Sequence, residues 1–356
     1  MLYYLATFLM DSFGPARLLQ SHAVLIVLAL YIGFFAVYWI LPKCCKWLPR
    51  DRGRAYTLSA DAAKGKPTGT GLVFITIFVV ISFLLVPLYK SQIMILVLTW
   101  LTMLTGYLDD RSTDSWGEYL KGALDLVLCL AASFVLYYSA AQQNPAGDVY
   151  FWLPFLANSL KVAPWVYIVI STVLLWLSIN TTNCTDGVDG LSSTLVLIAL
   201  ITLGSVFYFI FGHSDISAYL LVPHLVQGAS WAVMIFALVG SLMGYLWYNA
   251  YPSSVLMGDA GSRALGFFIG VCVMVSGNPF LILVTSTMIF INGGLGLVKI
   301  FIMRFFKIKV LTNIRFPLHD HMRHNCNWSP TQVLIKFMIL QVLVTIALVG
   351  IFFKIR

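Results

Sequence analysis

The feature that most constrains the fold of this chain is its series of long apolar stretches. Of its 356 residues, 60% are hydrophobic and only 10% are charged, and the mean hydropathy is +0.89. A soluble domain carries roughly 25% charged residues, so the composition excludes an ordinary soluble protein. Windows of about 20 apolar residues, the length that crosses a bilayer as a helix, lie near 22–41, 70–88, 91–108, 120–140, 163–180, 191–212, 229–248, 262–276, 279–302 and 332–353. We predict an all-α polytopic membrane protein with about ten transmembrane helices, forming one integral-membrane domain over residues 1–356.

The Lys and Arg residues are divided unevenly between the two sets of loops that alternate along such a chain. Only Arg17, Lys90, Lys161, Lys354 and Arg356 fall in one set, which leaves seventeen of the twenty-two in the other. Seven belong to the first loop, namely Lys43, Lys46, Arg50, Arg52, Arg54, Lys64 and Lys66. Because cytoplasmic loops are rich in Lys and Arg, we predict that this set is cytoplasmic and that both termini lie outside. Membrane insertion and attraction to anionic lipid explain part of this charge, and nucleic acid is not expected as a partner.

Two carboxylates stand where one apolar span ends and the next begins. Asn183, Asp186 and Asp189 are spaced three residues apart, and in a helix they would project from nearly the same face. Three oxygen donors on one face suit Mg²⁺ or the polar rim of a nucleotide. The alternative is a loop in which these residues cap the helix that starts near Ser192.

Further acidic groups lie at predicted cytoplasmic span ends. Asp109 and Asp110 are adjacent. Adjacent carboxylates repel each other, so such a pair usually binds a cation or takes part in proton transfer. The alternative is a solvated loop face. Asp259 lies among small residues just before the eighth span, where a metal or phosphate could reach it. Arg263 is the alternative partner for its charge.

Three other segments complete the polar set. The segment Lys64-Gly-Lys-Pro-Thr-Gly-Thr-Gly71 is flexible and cationic. Its free backbone N–H groups could cradle phosphate, unless it is only a flexible entry to the second span. His319, His321 and Arg323 alternate around Asp320, a pattern that favours phosphate over zinc. In the ninth span, Asn292-Gly-Gly-Leu-Gly predicts either a bend or close helix packing.

The polar constellations of the loops fall on one membrane face under a single topology. That layout is expected of an enzyme that takes an anionic, Mg²⁺-carrying substrate from the cytoplasm and a lipid from the bilayer. A lipid-phosphate or nucleotide-sugar transporter is the less favoured alternative, because transporters tend to place ionisable groups near the midplane and to show repeated halves.

The motifs Asn183–Leu191 and Asn249–Gly266 carry a resemblance that extends over nearly the whole chain. The sequence resembles the bacterial phospho-N-acetylmuramoyl-pentapeptide transferases of the polyprenyl-phosphate hexose-1-phosphate transferase superfamily. The resemblance implies a multi-pass enzyme of the bacterial inner membrane, commonly a homodimer, with a cytoplasmic Mg²⁺-dependent site. Its reaction moves phospho-MurNAc-pentapeptide from UDP-MurNAc-pentapeptide to undecaprenyl phosphate, giving lipid I and UMP, and nucleoside antibiotics become candidate inhibitors.

The resemblance also implies roles for individual residues. Asp109, Asp110, Asp259 and His319 would be catalytic, with Asp109 the base for the lipid phosphate and Asp259 the metal ligand. The substrate-binding set would be Lys64, Thr68, Lys121, Asn183, Asp186, Asp189, Gly190, Leu191, Asn249, Leu256, Asp320, His321 and Arg323. Leu256 stands where an aromatic residue often lies beside the uracil. His319-x-His321-x-Arg323 is also similar to the relatives that transfer GlcNAc-1-phosphate, so UDP-GlcNAc is the alternative donor.

Overall fold

The regular secondary structure of the protein is almost all helix in its computed structural model, which describes residues 2–10, 14–53, 63–114, 116–156 and 158–354. Arg54 of the basic first loop and Arg356 lie outside the described residues. The α-helices are α1 (Leu2–Leu9), α2 (His22–Cys44), α3 (Gly71–Leu85), α4 (Lys90–Arg111), α5 (Glu118–Ala141), α6 (Pro164–Thr185), α7 (Leu191–Ser205), α8 (Ser214–Tyr219), α9 (Gly228–Asn249), α10 (Gly258–Val275), α11 (Leu281–Thr285), α12 (Thr287–Ile289), α13 (Leu295–Phe305), α14 (Leu318–Asn325) and α15 (Pro330–Lys354). A 3₁₀ helix (Gly14–Gln20), two π turns (Val206–Phe211 and Phe290–Gly294) and an antiparallel hairpin of β1 (Val149–Phe151) and β2 (Leu160–Val162) complete the described part.

The predicted fold class, an all-α polytopic membrane protein, is confirmed. Within the described residues, nine helices are long and apolar enough to cross a membrane. The remaining apolar window, 70–88, forms the shorter helix α3, because the chain leaves the helix at Val86 in extended conformation. A helix pairs its backbone N–H and C=O groups within itself, which is why apolar segments of this length take that form in hydrocarbon.

Helix α10 is the centre of the bundle. All but two of its eighteen residues are buried, and it packs against α3, α4, α6 and α7. Small residues permit this close approach. A Cβ added at Gly71 would lie 2.1 Å from the Gly261 nitrogen, and one added at Gly266 would lie 2.4 Å from the Ser178 carbonyl oxygen. The helix that begins with Gly258 and Asp259 is therefore held by backbone-to-backbone packing on several sides.

The ninth apolar window is interrupted near its glycines, as predicted, and also at a second point before them. The helix breaks at Ser286, between α11 and α12, and then widens into the π turn Phe290–Gly294. Gln341 of α15 satisfies the backbone groups that the break releases, because its amide accepts from the Met288 N–H at 2.8 Å and donates to the Thr285 carbonyl at 3.1 Å. Gly293 serves close packing as well, since a Cβ there would lie 2.4 Å from the Thr181 carbonyl oxygen. The bend and the close-packing interpretations both hold.

A glycine substitution tests the packing around the start of α10. A Cβ at Gly106 of α4 would lie 2.4 Å from the Asp259 carbonyl oxygen, whereas one at Gly122 of α5 would meet nothing within 4 Å. We expect Gly106→Ala to lower the unfolding midpoint because backbone must shift, and Gly122→Ala to leave it unchanged or slightly raised, since alanine favours helix. Thermal unfolding of both variants in detergent measures this. Equal midpoints for the two variants would contradict the proposed tight contact.

Candidate active site

The five predicted cytoplasmic loops, numbered here by the apolar span that each follows, meet at one end of the bundle. The first and seventh loops join where the Thr70 hydroxyl donates to the Leu256 carbonyl at 2.8 Å. The third and seventh join through Asp110 and the start of α10. The fifth loop, between α6 and α7, and the ninth, before and within α14, join where Gly187 lies against the His319 ring. The prediction that these loops share one face is thus matched by direct contacts.

Asp110 caps the helix that carries Asp259. Its two carboxylate oxygens accept from the Asp259 and Ala260 N–H groups, each at 3.0 Å. These N–H groups have no partner within the helix, and a carboxylate there is also favoured by the helix dipole. Gly258 has φ +67°, and a Cβ on it would lie 2.2 Å from an Asp110 oxygen. Glycine is therefore required where the chain turns into α10.

Asp109, Asp259 and Lys121 form the charged centre of the site. The Lys121 ammonium lies 3.1 Å from Asp259 Oδ2 and also contacts Asp109 Oδ2. The Trp116 N–H donates to the other Asp109 oxygen at 2.7 Å. Both carboxylates are largely buried and Lys121 is about one quarter exposed. Two carboxylates from different helices thus converge on one cationic position that is open to solvent.

The same carboxylates are the candidates to hold a metal ion. Within the described part of the chain, no group of three or more His, Cys, Asp or Glu side chains forms a metal site of its own. Asp110 has both oxygens engaged by backbone N–H groups, so it is not a free ligand. Asp259 and Asp109 supply hard oxygens around one cationic position. This donor set fits Mg²⁺, which is commonly bound by one or two carboxylates together with substrate phosphates and water.

Asn249 joins two of the recognition loops. Its side-chain oxygen accepts from the Gly190 N–H at 3.0 Å and from the Ser193 hydroxyl at 3.3 Å, while its amide donates to the Val255 carbonyl at 2.9 Å. Leu191, next to Gly190, is fully buried. Gly190 has φ +74°, so glycine suits this entry to α7. The Gly190–Leu191 turn and the loop that contains the half-buried Leu256 are therefore fixed relative to each other.

The shared helical face predicted for Asn183, Asp186 and Asp189 is wrong. Helix α6 ends at Thr185, Asp186 is its C-cap residue, and Asp189 lies in the turn that follows. Asp189 instead accepts from the Ser253 N–H at 3.0 Å and lies 3.9 Å from the Lys66 ammonium. The capping alternative is also wrong, because α7 starts at Leu191 after Gly190 with no side-chain cap.

The predicted phosphate cradle at Lys64–Gly71 has most of its backbone N–H groups engaged within the protein. The Gly65 and Thr68 N–H groups donate to the Asp51 and Pro49 carbonyls. The following N–H groups of Thr70 and Gly71 donate to carbonyls of the seventh loop. Thr68 is buried and Lys64 is exposed. The more central lysine is Lys66, which the resemblance did not assign and which donates to the Ser253 hydroxyl at 3.0 Å.

His319 faces inward and holds two elements together. Its backbone N–H donates to the Asn292 side-chain oxygen at 2.8 Å, and its ring Nδ1 lies 3.1 to 3.2 Å from the Asn292 amide. Burial lowers the pKa of His319 to about 4, with Asp320 opposing and Arg323 reinforcing the shift. The ring is therefore neutral at physiological pH. Gly187 is required beside it, since a Cβ would lie 2.4 Å from Nε2.

Of the other members of the histidine segment, Asp320 lies near that contact, whereas His321 and Arg323 have other neighbours. His321 Nδ1 accepts from the Arg315 N–H at 3.3 Å. Asp320 lies 3.7 Å from His319 Nε2. Arg323 lines a surface cavity with Trp328, Ser329 and Gln332 among others. The contact of this segment with the loop between α6 and α7 is made by His319.

One charged pair next to the site was missed from the sequence. Asp125 of α5 and Arg263 of α10 form an ion pair in which each side chain is only 2% exposed. The interpretation of Arg263 as the partner of Asp259 is wrong, because the Asp259 ion pair is with Lys121. Lys121 and Asp125, and also Asp259 and Arg263, are four residues apart, which makes each pair neighbours on a helix surface. This spacing does not indicate the pairing of Asp125 with Arg263 between two helices.

The chain is similar in sequence to known proteins. A family model described as Glycosyl transferase family 4 matches residues 92–277, which include Asp109, Lys121, Asp189 and Asp259. The proteins named phospho-N-acetylmuramoyl-pentapeptide-transferase in two strains of Treponema pallidum, the Nichols strain among them, are 54% identical over 344 residues, covering 97% of this chain and 94% of theirs. The protein of that name from Helicobacter pylori (strain Shi470) is 31% identical over 329 residues, covering 89% of this chain and 90% of its own.

The identity to these proteins extends over nearly the full length of the chain, and the chain forms a helical bundle with clustered acidic residues. These observations together establish its family. The chain belongs to the phospho-N-acetylmuramoyl-pentapeptide-transferase family, and it is a membrane-embedded transferase.

Proposed function

We propose that this protein transfers phospho-MurNAc-pentapeptide from UDP-MurNAc-pentapeptide to undecaprenyl phosphate, releasing UMP and forming lipid I for peptidoglycan synthesis. The observation that carries the proposal is the convergence of Asp109, Lys121 and Asp259 at one end of a membrane bundle. A soluble nucleotide and a lipid-borne phosphate can meet only at such an end. The names of relatives up to 54% identical support the muramoyl-peptide donor.

The reaction is a phosphoryl transfer. An ionised oxygen of undecaprenyl phosphate attacks the β-phosphorus of the donor, and the bond from that phosphorus to the bridging oxygen breaks, so that UMP leaves with the electron pair. Such reactions are catalysed chiefly by positioning and by electrostatic stabilisation. Asp109 keeps the acceptor phosphate ionised, and the Lys121 ammonium compensates charge that develops on the oxygens. A two-step route through an aspartyl phosphate would use the same residues.

The cofactor proposed for this site is Mg²⁺. Asp259 would hold it, together with substrate phosphates and water. When bound, the ion neutralises charge on the pyrophosphate and on the UMP leaving group. Asp110 contributes by fixing the α10 N-terminus, so that the Asp259 carboxylate projects from a rigid helix rather than from a loop.

The surrounding loops would recognise the donor. Gly190, Leu191, Asn249 and Leu256 would form the uridine side. The polar residues of the loops would contact the sugar, the phosphates and the peptide of the donor. They are Asn183, Asp186, Asp189, Lys64, Thr68, His321, Asp320 and Arg323. His319 would shape the site as a neutral, buried ring. The acids cluster at helix ends rather than along a central pathway, which favours a transferase over a transporter.

The cellular setting follows from the charge distribution. We propose that the site faces the cytoplasm and that both termini lie outside, in the bacterial inner membrane. A homodimer and inhibition by nucleoside antibiotics are further proposals that derive from the family. Both are measurable on the purified protein without assumptions about the reaction.

The metal proposal predicts a strong effect of Asp259→Asn. Losing the carboxylate charge beside Lys121 should lower turnover on the order of 10²-fold or more, while the protein remains folded. Asp148→Asn is the matched control, since Asp148 pairs with Lys161 in the hairpin region away from the loop cluster. UMP release and Mg²⁺-dependent thermal shift measure the outcome. Near-normal turnover of folded Asp259→Asn at saturating Mg²⁺ would remove Asp259 from the metal site.

The two adjacent aspartates should behave differently. Asp109→Asn should lower kcat strongly and leave donor binding within a few-fold, because Asp109 acts on the acceptor. Asp110→Asn should lower the unfolding midpoint in addition to kcat, because an amide replaces the carboxylate that caps α10. Calorimetric donor titration and thermal unfolding of both variants separate the two roles. If donor binding is lost together with activity in Asp109→Asn, that residue belongs to the donor or metal site.

Donor selection should be strong. We expect kcat/KM for UDP-MurNAc-pentapeptide to exceed that for UDP-GlcNAc by at least ~100-fold, or roughly 2.7 kcal/mol of differential transition-state binding. The bulky peptide would lie over the loop that contains Arg315 and Arg323, whose cations suit its carboxylates. Parallel assays with undecaprenyl phosphate measure the ratio. A preference for UDP-GlcNAc would assign the protein to the alternative reaction.

A further inference from the structure

The buried Asp125–Arg263 ion pair is the feature of the bundle that the proposed mechanism does not use. Each side chain is 2% exposed, and both belong to helices long and apolar enough to span the membrane. Burying two charges costs desolvation that the pairing often only offsets, and ionisable groups inside membrane spans usually mark function. Within the described residues, Arg263 Nε and Nη1 also lack hydrogen-bond partners. Maximal stability is therefore a poor explanation for this pair.

The pair lies one helical turn from the charged centre. Asp125 follows Lys121 by four residues on α5, and Arg263 follows Asp259 by four residues on α10. Residues at this spacing are neighbours on a helix surface. The two helices therefore carry two interhelical ion pairs, Lys121–Asp259 nearer the helix ends and Asp125–Arg263 deeper in the bundle.

Each of the four charges has a second possible partner on its own helix. Lys121 could turn towards Asp125, and Arg263 could turn towards Asp259. The four charges lie within one helical turn of one another along α5 and α10, the spacing at which side chains on a helix surface are neighbours. While Asp125 and Arg263 are paired with each other, neither competes for the groups of the charged centre.

We propose that Asp125 and Arg263 are positioning residues, which by neutralising each other keep Lys121 directed at Asp109 and Asp259 and keep the Asp259 carboxylate available to the reaction. The proposal rests on the proposed function for its activity measurement only. Removing one member of the pair leaves a buried charge that recruits its intrahelical neighbour, Lys121 in one case and Asp259 in the other. Removing both leaves no competitor.

The test is a cycle of Arg263→Met, Asp125→Asn and the double variant. Each single variant should lower kcat by about tenfold or more while the donor KM stays within about threefold, because the chemical step loses its alignment. The double variant should recover kcat to within about threefold of wild type. Arg263→Lys, which keeps the positive charge, should lower kcat less than Arg263→Met does. Gly122→Ala is the control for a change on the same helix that removes no charge, since a Cβ at Gly122 would meet nothing within 4 Å.

A second measurement does not depend on substrate. Lys121→Met is introduced into wild type and into Arg263→Met, and unfolding midpoints are compared. If an unpaired Asp125 recruits Lys121, the loss of Lys121 lowers the midpoint more in the Arg263→Met background than in wild type. A purely structural pair gives additive effects, since the two sites then act independently.

The outcomes separate this inference from the proposed function. If wild type releases UMP but the double variant is as slow as the single variants, or the midpoint changes are additive, the positioning role is overturned. If wild type releases no UMP from UDP-MurNAc-pentapeptide while the midpoint changes are non-additive, the proposed function fails and the coupling between the two pairs stands. Single variants with wild-type kcat would also overturn the proposal.

Discussion

The cap that Asp110 places on α10 is the interaction on which the site depends. Two hydrogen bonds from the Asp259 and Ala260 N–H groups bind the third loop to the start of the most buried helix. The same contact fixes where Asp259 emerges and leaves Asp109, its neighbour in sequence, to face Lys121. One carboxylate of an adjacent pair is thus structural and the other is available for chemistry. The electrostatic problem of two neighbouring acids is solved by giving them different partners.

The sequence was sufficient for the architecture and for the location of the acids, and insufficient for their partners. Apolar windows of bilayer length predicted the spans because the bilayer restricts the backbone to helices. Asp109, Asp110 and Asp259 were found because charges are costly near a membrane and therefore informative. The helical face of Asn183, Asp186 and Asp189 was wrong because α6 ends at Thr185 and the chain turns before Gly190. Spacing alone does not show where a helix stops.

Two other errors have a common physical origin. A phosphate cradle was predicted in the first loop from its free backbone N–H groups. A loop that packs against its neighbours, however, must satisfy those groups within the protein. They accordingly bond to carbonyls such as those of Pro49 and Leu256. Arg263 was the alternative partner offered for Asp259, whereas in the folded bundle it pairs with Asp125 across the interface. Local sequence shows which groups need partners, and tertiary packing decides which partners they obtain.

A continuous set of contacts links the last helix to the loop between α6 and α7. Gln341 of α15 satisfies the backbone at the break in the ninth span. A few residues further on, the π turn presents Asn292, which binds both the backbone and the ring of His319. That ring lies against Gly187, between Asp186 and Asp189. Since a neutral imidazole forms hydrogen bonds without carrying positive charge, His319 can fix the loop without competing with a cation for the carboxylates. The irregular ninth span therefore places a polar contact where a regular helix would not, and the glycine beside it makes the room.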